Sequence, residues 1–144
     1  MIDYVLDATF VAFSNGDLAG RRPGNVLDRR LKVVEEVIYR QDRRLRYNQR
    51  LRREYEDHAK TTRNDFVEVF FSYLDSNRPF RVPRNTLSRQ HYNTATKIRW
   101  PGHDQHLLAA AIGGIKPHLF VTEHKHAVYA AKVKQAFGIT VLRV

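Results

Sequence analysis

Apolar positions along the chain alternate between short continuous runs and helical stripes. Ile2 to Leu6 is the first run and predicts a short strand buried on both faces. A polar turn at Ser14, Asn15 and Gly16 and the breaker Pro23-Gly24 follow. Leu27, Leu31, Val34 and Ile38 then recur at helical spacing, with Asn25 as the N-cap candidate. Residues 45–47 read as a second strand. Asn48 would cap a helix that buries Leu51, Tyr55 and either His58 or Ala59. Asp65 to Leu74 predicts another helix, stopped near Arg78-Pro79. From Pro79 to Pro101 the pattern predicts a loop with one helix near residues 85–97.

Gly102-His103-Asp104 opens a clearer helix, with Leu107, Leu108, Ala111, Ile112 and Ile115 on one face and Gly113-Gly114 at its end. Leu119 to Val121 predicts a strand. Residues 126–137 predict a helix with Val128, Ala131 and Phe137 among its apolar positions. Gly138 ends it, and Ile139 to Leu142 is the last strand. Short strands separated by helices predict an α/β fold with a mostly parallel sheet. A length of 144 residues favours one domain, residues 1–144. In such folds ligands bind beyond the carboxyl ends of the strands, which directs attention to the polar residues that follow each strand.

Charge sharpens the picture. Lys and Arg number 25 against 15 Asp and Glu, a formal charge of +10, which favours a polyanionic partner. Cysteine is absent, so disulfide scaffolds, thiolate metal sites and cysteine nucleophiles are excluded. No apolar run approaches the roughly 18 residues of a membrane span. The segment MIDYVLDATFVAF has no basic n-region and does not resemble a secretory signal. The expectation is a cytoplasmic protein with no membrane partner.

Four acids fall where a site belongs. Asp7 ends the first strand, where its carboxylate either caps the next turn or serves chemistry. Glu54 sits at the margin of its helix's apolar stripe, with pairing to Arg50 or Arg53 as the plain alternative. Asp104 shares the core-facing side with Leu107, Leu108 and Ala111, where a helix N-terminal charge is the plain alternative. Glu123 follows the strand ending at Val121, with a turn role as its alternative. Converging carboxylates repel one another, and divalent cations relieve that repulsion. Mg²⁺ takes oxygen ligands and pairs with phosphates. An acid cluster in so basic a protein therefore points to metal-assisted phosphodiester hydrolysis.

These segments resemble the PIN-domain nucleases. The resemblance rests on Tyr4-Val5-Leu6-Asp7, Arg53-Glu54-Tyr55, the stretch His103-Asp104-Gln105 to Ala111, Leu119-Phe120-Val121-Thr122-Glu123, and the tail Phe137-Gly138-Ile139-Thr140-Val141. It covers nearly the whole chain in the family's order, through short and degenerate motifs. It implies a three-layer α/β/α fold and a metal-dependent endoribonuclease using Mg²⁺ or Mn²⁺. Asp7 and Asp104 would be the core metal ligands, Glu54 would complete the cluster, and Glu123 would match a fourth position that is more often Asp in the family. Thr9 and Thr122 would support the geometry. Small members of the family include toxins held by an antitoxin and often dimeric, so a protein inhibitor and a homodimer are implied partners. Glu123 in place of Asp also keeps open a domain that binds nucleic acid or protein without cutting. A structure-selective DNA nuclease of related fold ranks below both, because the chain leaves little room for DNA-clamping elements.

Residues 29–53 hold ten Lys or Arg against three acids. That excess suits phosphate contacts better than a solvated face, on which acids alternate with bases. Arg78, Arg81, Arg84, Arg89, Lys97 and Arg99 are interleaved with Phe80, His91, Tyr92 and Trp100, a mixture that suits single-stranded RNA or packs this segment to the core. The nucleic-acid candidates are Arg46, Arg50, Arg53, Lys97, Arg99 and Lys125. His103, His106, His118, His124 and His126 flank Asp104 and Glu123 without a strong metal-binding spacing, and are read as bordering the acidic site.

Overall fold

A computed structural model describes residues 1–14, 24–59 and 64–144. Asn15, Gly16 and Pro23, expected in turns, lie outside the described residues, as does the side chain of Asn25. Five parallel strands form one sheet in the order β3-β2-β1-β4-β5. They are β1 (Ile2–Leu6), β2 (Arg43–Tyr47), β3 (Phe80–Arg81), β4 (His118–Val121) and β5 (Thr140–Arg143). The expected parallel sheet is present, and every pairing in it is parallel. Helices cover the sheet as the three-layer α/β/α expectation requires: α1 (Thr9–Ser14), α2 (Gly24–Tyr39), α3 (Gln49–His58), α4 (Asp65–Leu74), α5 (Arg89–Lys97), α6 (Gln105–Ala111), α7 (His124–Ala127) and α8 (Ala130–Phe137). A 3-10 turn, Gly102–Asp104, leads into α6.

The chain moves outward from β1 to β2 and β3, then returns to pair β4 on the other side of β1. The order therefore reverses between β1 and β4, and the crevice beyond their carboxyl ends is the fold's natural ligand position. Buried apolar side chains along β1 (Tyr4, Val5, Leu6) and β4 (Leu119, Phe120, Val121) pack between helices on both faces.

Local chemistry sets the elements. Asn48 caps α3 by accepting from the Leu51 N–H at 3.1 Å, and its amide donates to His106 O at 2.9 Å and Arg84 O at 3.3 Å. One buried side chain thus ends β2, starts α3 and ties both to α6. Asn64 and Ser88 cap α4 and α5 in the same way. The Tyr55 phenol donates to Leu6 O at 2.6 Å and pins α3 to the carboxyl end of β1. Ala59 completes the α3 face, while His58 is exposed.

Some expectations fail for identifiable reasons. β3 falls in the expected loop because it is two exposed residues with no periodicity to read. Ser14, expected in a turn, is helical, in α1. The helix from Asp104 ends early, because Gly113 adopts φ +85° and a Cβ on Gly114 would meet Arg46 Cδ at 3.0 Å and Ala111 O at 3.1 Å. Ile115 consequently leaves the helix and is exposed. The expected helix 126–137 is two helices broken at Val128 and Tyr129, where the Tyr129 ring packs edge-on to Trp100. Val128 and Ala131 are exposed, and Val133 is the fully buried residue of α8.

Asp3 is the buried charge at the amino end of the sheet. It is fully buried, accepts two hydrogen bonds from Arg44 at 2.8 and 2.9 Å and a third from the Ile115 N–H at 2.8 Å, and faces Arg46 at 3.8 Å. This anion orders β1, β2 and the α6–β4 connection together. Asp3→Ala is expected to lower the unfolding free energy by about 3–5 kcal/mol, because it strands buried guanidinium charge; a urea titration showing a loss under about 1 kcal/mol would contradict the role.

Candidate active site

At the carboxyl ends of β1 and β4 an open cleft of about 140 Å³ is lined by Asp7, Thr9, Glu54, His58, Asp104, His106, Glu123, Lys125 and His126, with Ala8 and Leu107. All four candidate acids reach it, each from a different segment. Asp7 arrives at the end of β1. Glu54 is carried by α3, which Tyr55 anchors next door. Asp104 ends the 3-10 turn, and Glu123 follows β4.

Asp7 is nearly buried, and protein donors hold its carboxylate. Oδ1 accepts from Thr9 N–H at 2.9 Å; Oδ2 accepts from Thr122 N–H at 2.8 Å and from the Thr122 hydroxyl at 3.1 Å. Burial pushes its pKa up, and these hydrogen bonds oppose the rise. The two candidate supporting threonines are therefore its direct partners.

Asp104 occupies the N-cap position of α6 but makes no capping hydrogen bond. Its Oδ2 lies 2.8 Å from His126 Nε2, 3.3 Å from His103 Nε2 and 3.5 Å from Lys125 Nζ. Burial works against its ionised form. The His126 hydrogen bond and the charges of His126, Lys125 and His103 outweigh burial and hold its pKa at about 2. Asp104 thus keeps the helix N-terminal place of its plain alternative, while its side chain turns to His126 rather than to the helix N–H groups. Trp100 organises this corner: its indole N–H donates to Asp104 O at 3.0 Å and its ring lies 5.2 Å from the His126 ring.

Glu54 Oε1 is 2.8 Å from Nε2 of the buried His106, off the line of a hydrogen bond, and 3.4 Å from Arg50 Nε. Glu123 is the most exposed of the four, and Lys125 Nζ lies 3.5 Å from both its Oε2 and Asp104. Among the described residues no three acidic or imidazole groups converge as a ready set of metal ligands. The four acids share a cleft, but protein donors and cations occupy them individually. His106 Nδ1 and His126 Nδ1 are buried without a hydrogen-bond partner among the described residues, and His106 Nε2 has only the off-line contact to Glu54. Such orphaned atoms in the wall of a cleft are where a ligand or water completes the bonding.

The basic candidates divide. Arg46 is a correction: it is buried, donates to Ala110 O at 2.8 Å and Ile112 O at 2.9 Å, and stacks on Phe80, so it cannot meet a phosphate. Much of the 29–53 excess is spent similarly, Arg44 on Asp3 and Arg40 and Arg43 on Asp42. Arg50 donates to His103 O at 2.8 Å beside the cleft. Lys125 lies in the cleft, while Arg53, Lys97 and Arg99 are exposed outside it. Trp100 is buried and takes the packing role; Phe80 and Tyr92 are exposed. His106 and His126 border the acids as expected, whereas His118 sits at the opposite end of β4. Sequence reading missed the Trp100–His126–Asp104 linkage, for which the only signal was an aromatic residue just before the Asp104 turn.

No family model matches the chain, and neither does any curated protein or solved structure.

Asp7 and Asp104 carry opposite shifts, so their variants are expected to diverge with pH. A raised carboxyl adds stability below its unfolded pKa and loses it as pH climbs through the folded value. A depressed one adds stability above its unfolded pKa and loses it as pH falls through about 2. Relative to the unsubstituted chain in EDTA, Asp7→Asn is expected to gain in melting temperature from pH 3 to pH 7. Asp104→Asn is expected to lose over its lower window. Parallel trends in a calorimetric pH series would refute this assignment.

Proposed function

We propose that the chain hydrolyses RNA phosphodiester bonds in this cleft with Mg²⁺ or Mn²⁺. The observation that carries the reading is the arrival of Asp7, Glu54, Asp104 and Glu123 from four segments at one cleft on the switch point of the sheet. The resemblance of the same segments to PIN-domain nucleases supports it, as does the +10 charge surrounding an acidic cleft. Four carboxylates without a thiolate are the donor types a hard cation takes, and a bound ion would have to draw them together, since among the described residues they do not converge as a ready ligand set.

Asp7 and Asp104 would hold the ion, with Glu54 and Glu123 completing its surroundings directly or through water. A divalent ion held there would lower the pKa of a coordinated water and supply a counter-charge for the phosphate. Thr9 and Thr122 fix the Asp7 carboxylate so that it need not reorganise. His126 and Trp100 fix Asp104 in the same sense. Lys125 sets an ammonium group beside the position a phosphate would take, while Arg50 borders the entrance. The longer Glu123 places its carboxylate at the exposed rim, where a second ion would be held more loosely than by an aspartate. The setting implied by the family is a toxin or defence nuclease restrained by a partner protein.

A second reading has one observation in its favour. The His126 ring and the Lys125 ammonium already engage the Asp104 carboxylate, which suits a domain that binds nucleic acid or a protein partner without cutting.

Incubation of single-stranded RNA, structured RNA and single-stranded DNA with Mn²⁺, Mg²⁺ or EDTA separates the two. Metal-dependent RNA cleavage is expected for the unsubstituted chain, with a loss of at least about a hundredfold in folded Asp7→Asn and Asp104→Asn. Undiminished cleavage by both variants would sink the nuclease reading, and RNA binding in EDTA without any cleavage would favour the second.

A further inference from the structure

A second cavity opens at the same edge of the sheet, beyond the carboxyl ends of β2 and β3. It has a volume of about 330 Å³ and is lined by Tyr47, Gln49, Arg52, Arg53, Glu56 and Arg81. Its charges are not equivalent. Arg52 is held by Glu56 at 3.1 Å and Asp75 at 2.7 Å, so Arg52 and Glu56 largely cancel within the wall. Arg53 and Arg81 are exposed, and neither guanidinium has an ion pair or hydrogen bond among the described residues. Two uncompensated guanidinium groups from different elements, α3 and β3, therefore line one concave site.

The arrangement works against the apoprotein. The first turn of α3 has no acid, and Arg53, in its second turn, lines the same cavity as Arg81 near the positive end of the helix. Like charges gathered in this way repel, and an anion in the cavity would relieve the repulsion. Guanidinium forks match phosphate oxygens in geometry as well as charge. Tyr47 closes the inner wall, and Gln49 adds amide donors and an acceptor.

We infer that this cavity binds a phosphate group of the RNA strand through Arg53 and Arg81, and sets the path of the strand across α3 toward the acidic cleft. The inference rests on the nucleic-acid reading above. Its geometric basis is that Arg53 lines the cavity while its neighbour Glu54 lines the cleft, so the two sites lie against adjacent faces of α3, about 100° apart around its axis. A strand lying over α3 engages both at once.

Binding of fluorescein-labelled single-stranded RNA, measured in EDTA across a salt series, tests this without any need for cleavage. The double variant Arg53→Gln/Arg81→Gln is expected to bind about tenfold more weakly, with the slope of log affinity against log salt shallower by about 0.7 for the one lost phosphate contact. A control removing equal charge elsewhere, Arg29→Gln/Lys132→Gln, is expected to change affinity far less, since both residues are exposed away from the cavity. RNA with and without a 5′-phosphate, and inorganic phosphate as competitor, separate an internal phosphodiester from a terminal or free phosphate. The double variant loses both RNAs equally in the first case, and only the advantage of the phosphorylated RNA in the second. Unchanged affinity and slope, an equal loss in the control, or no RNA binding by the unsubstituted chain would each overturn the site. A chain that binds through Arg53 and Arg81 yet never cuts would defeat the nuclease reading and leave this one standing.

Discussion

A carboxylate buried at the end of a central strand must find donors there, and Asp7 finds them on the neighbouring strand. Its hydrogen bonds to Thr122 join the ends of β1 and β4 at the point where strand order reverses. That junction places Glu123, one residue on, at the same edge. The Tyr55 bond to Leu6 brings α3 to it from one side. Trp100 and His126 bring Asp104 to it from another. The cleft exists because each of these segments is satisfied at a single place.

A second buried anion, Asp3, sits at the opposite end of β1 and has a different character. Arg44 meets it with two parallel hydrogen bonds, and the α6–β4 connection supplies a backbone donor. Asp3 is closed off by the fold's own cations, whereas the Asp7 end opens to solvent through the cleft. One strand thus carries a structural acid at its start and a chemical one at its end. Arg46 belongs with the first: it sustains the α6 terminus through two carbonyl oxygens.

The amphipathic stripes and the short apolar runs made most of the fold legible. Two polar residues show both sides of that: Asn48 caps α3 as read, while Ser14, expected in a turn, is helical. β3 was unreadable because two exposed residues joined to a sheet edge leave no pattern. The end of α6 was set by Gly113 and the Arg46 side chain, a tertiary constraint with no local trace beyond two glycines. At the site, the positions of Asp7, Glu54, Asp104 and Glu123 after strands and at helix starts were readable, and so was the support from Thr9 and Thr122. The Glu54–Arg50 pair was readable as well, whereas the partners His126 for Asp104 and His106 for Glu54 were not, because they are distant in sequence. The basic run misled at Arg46 for the same reason: charge count does not reveal which arginines the core consumes.

The central claim is that the acids of this cleft, taken together, hold a divalent cation. Its most direct test is paramagnetic broadening of backbone amide signals on adding Mn²⁺ in equimolar amount. The account requires broadening centred on the amides of Ala8, Thr9, Gln105 and Thr122 to Lys125, and its loss in Asp104→Asn. Absence of broadening there, or equal broadening around Asp42, Asp57 and Asp65 on the rest of the surface, would contradict it.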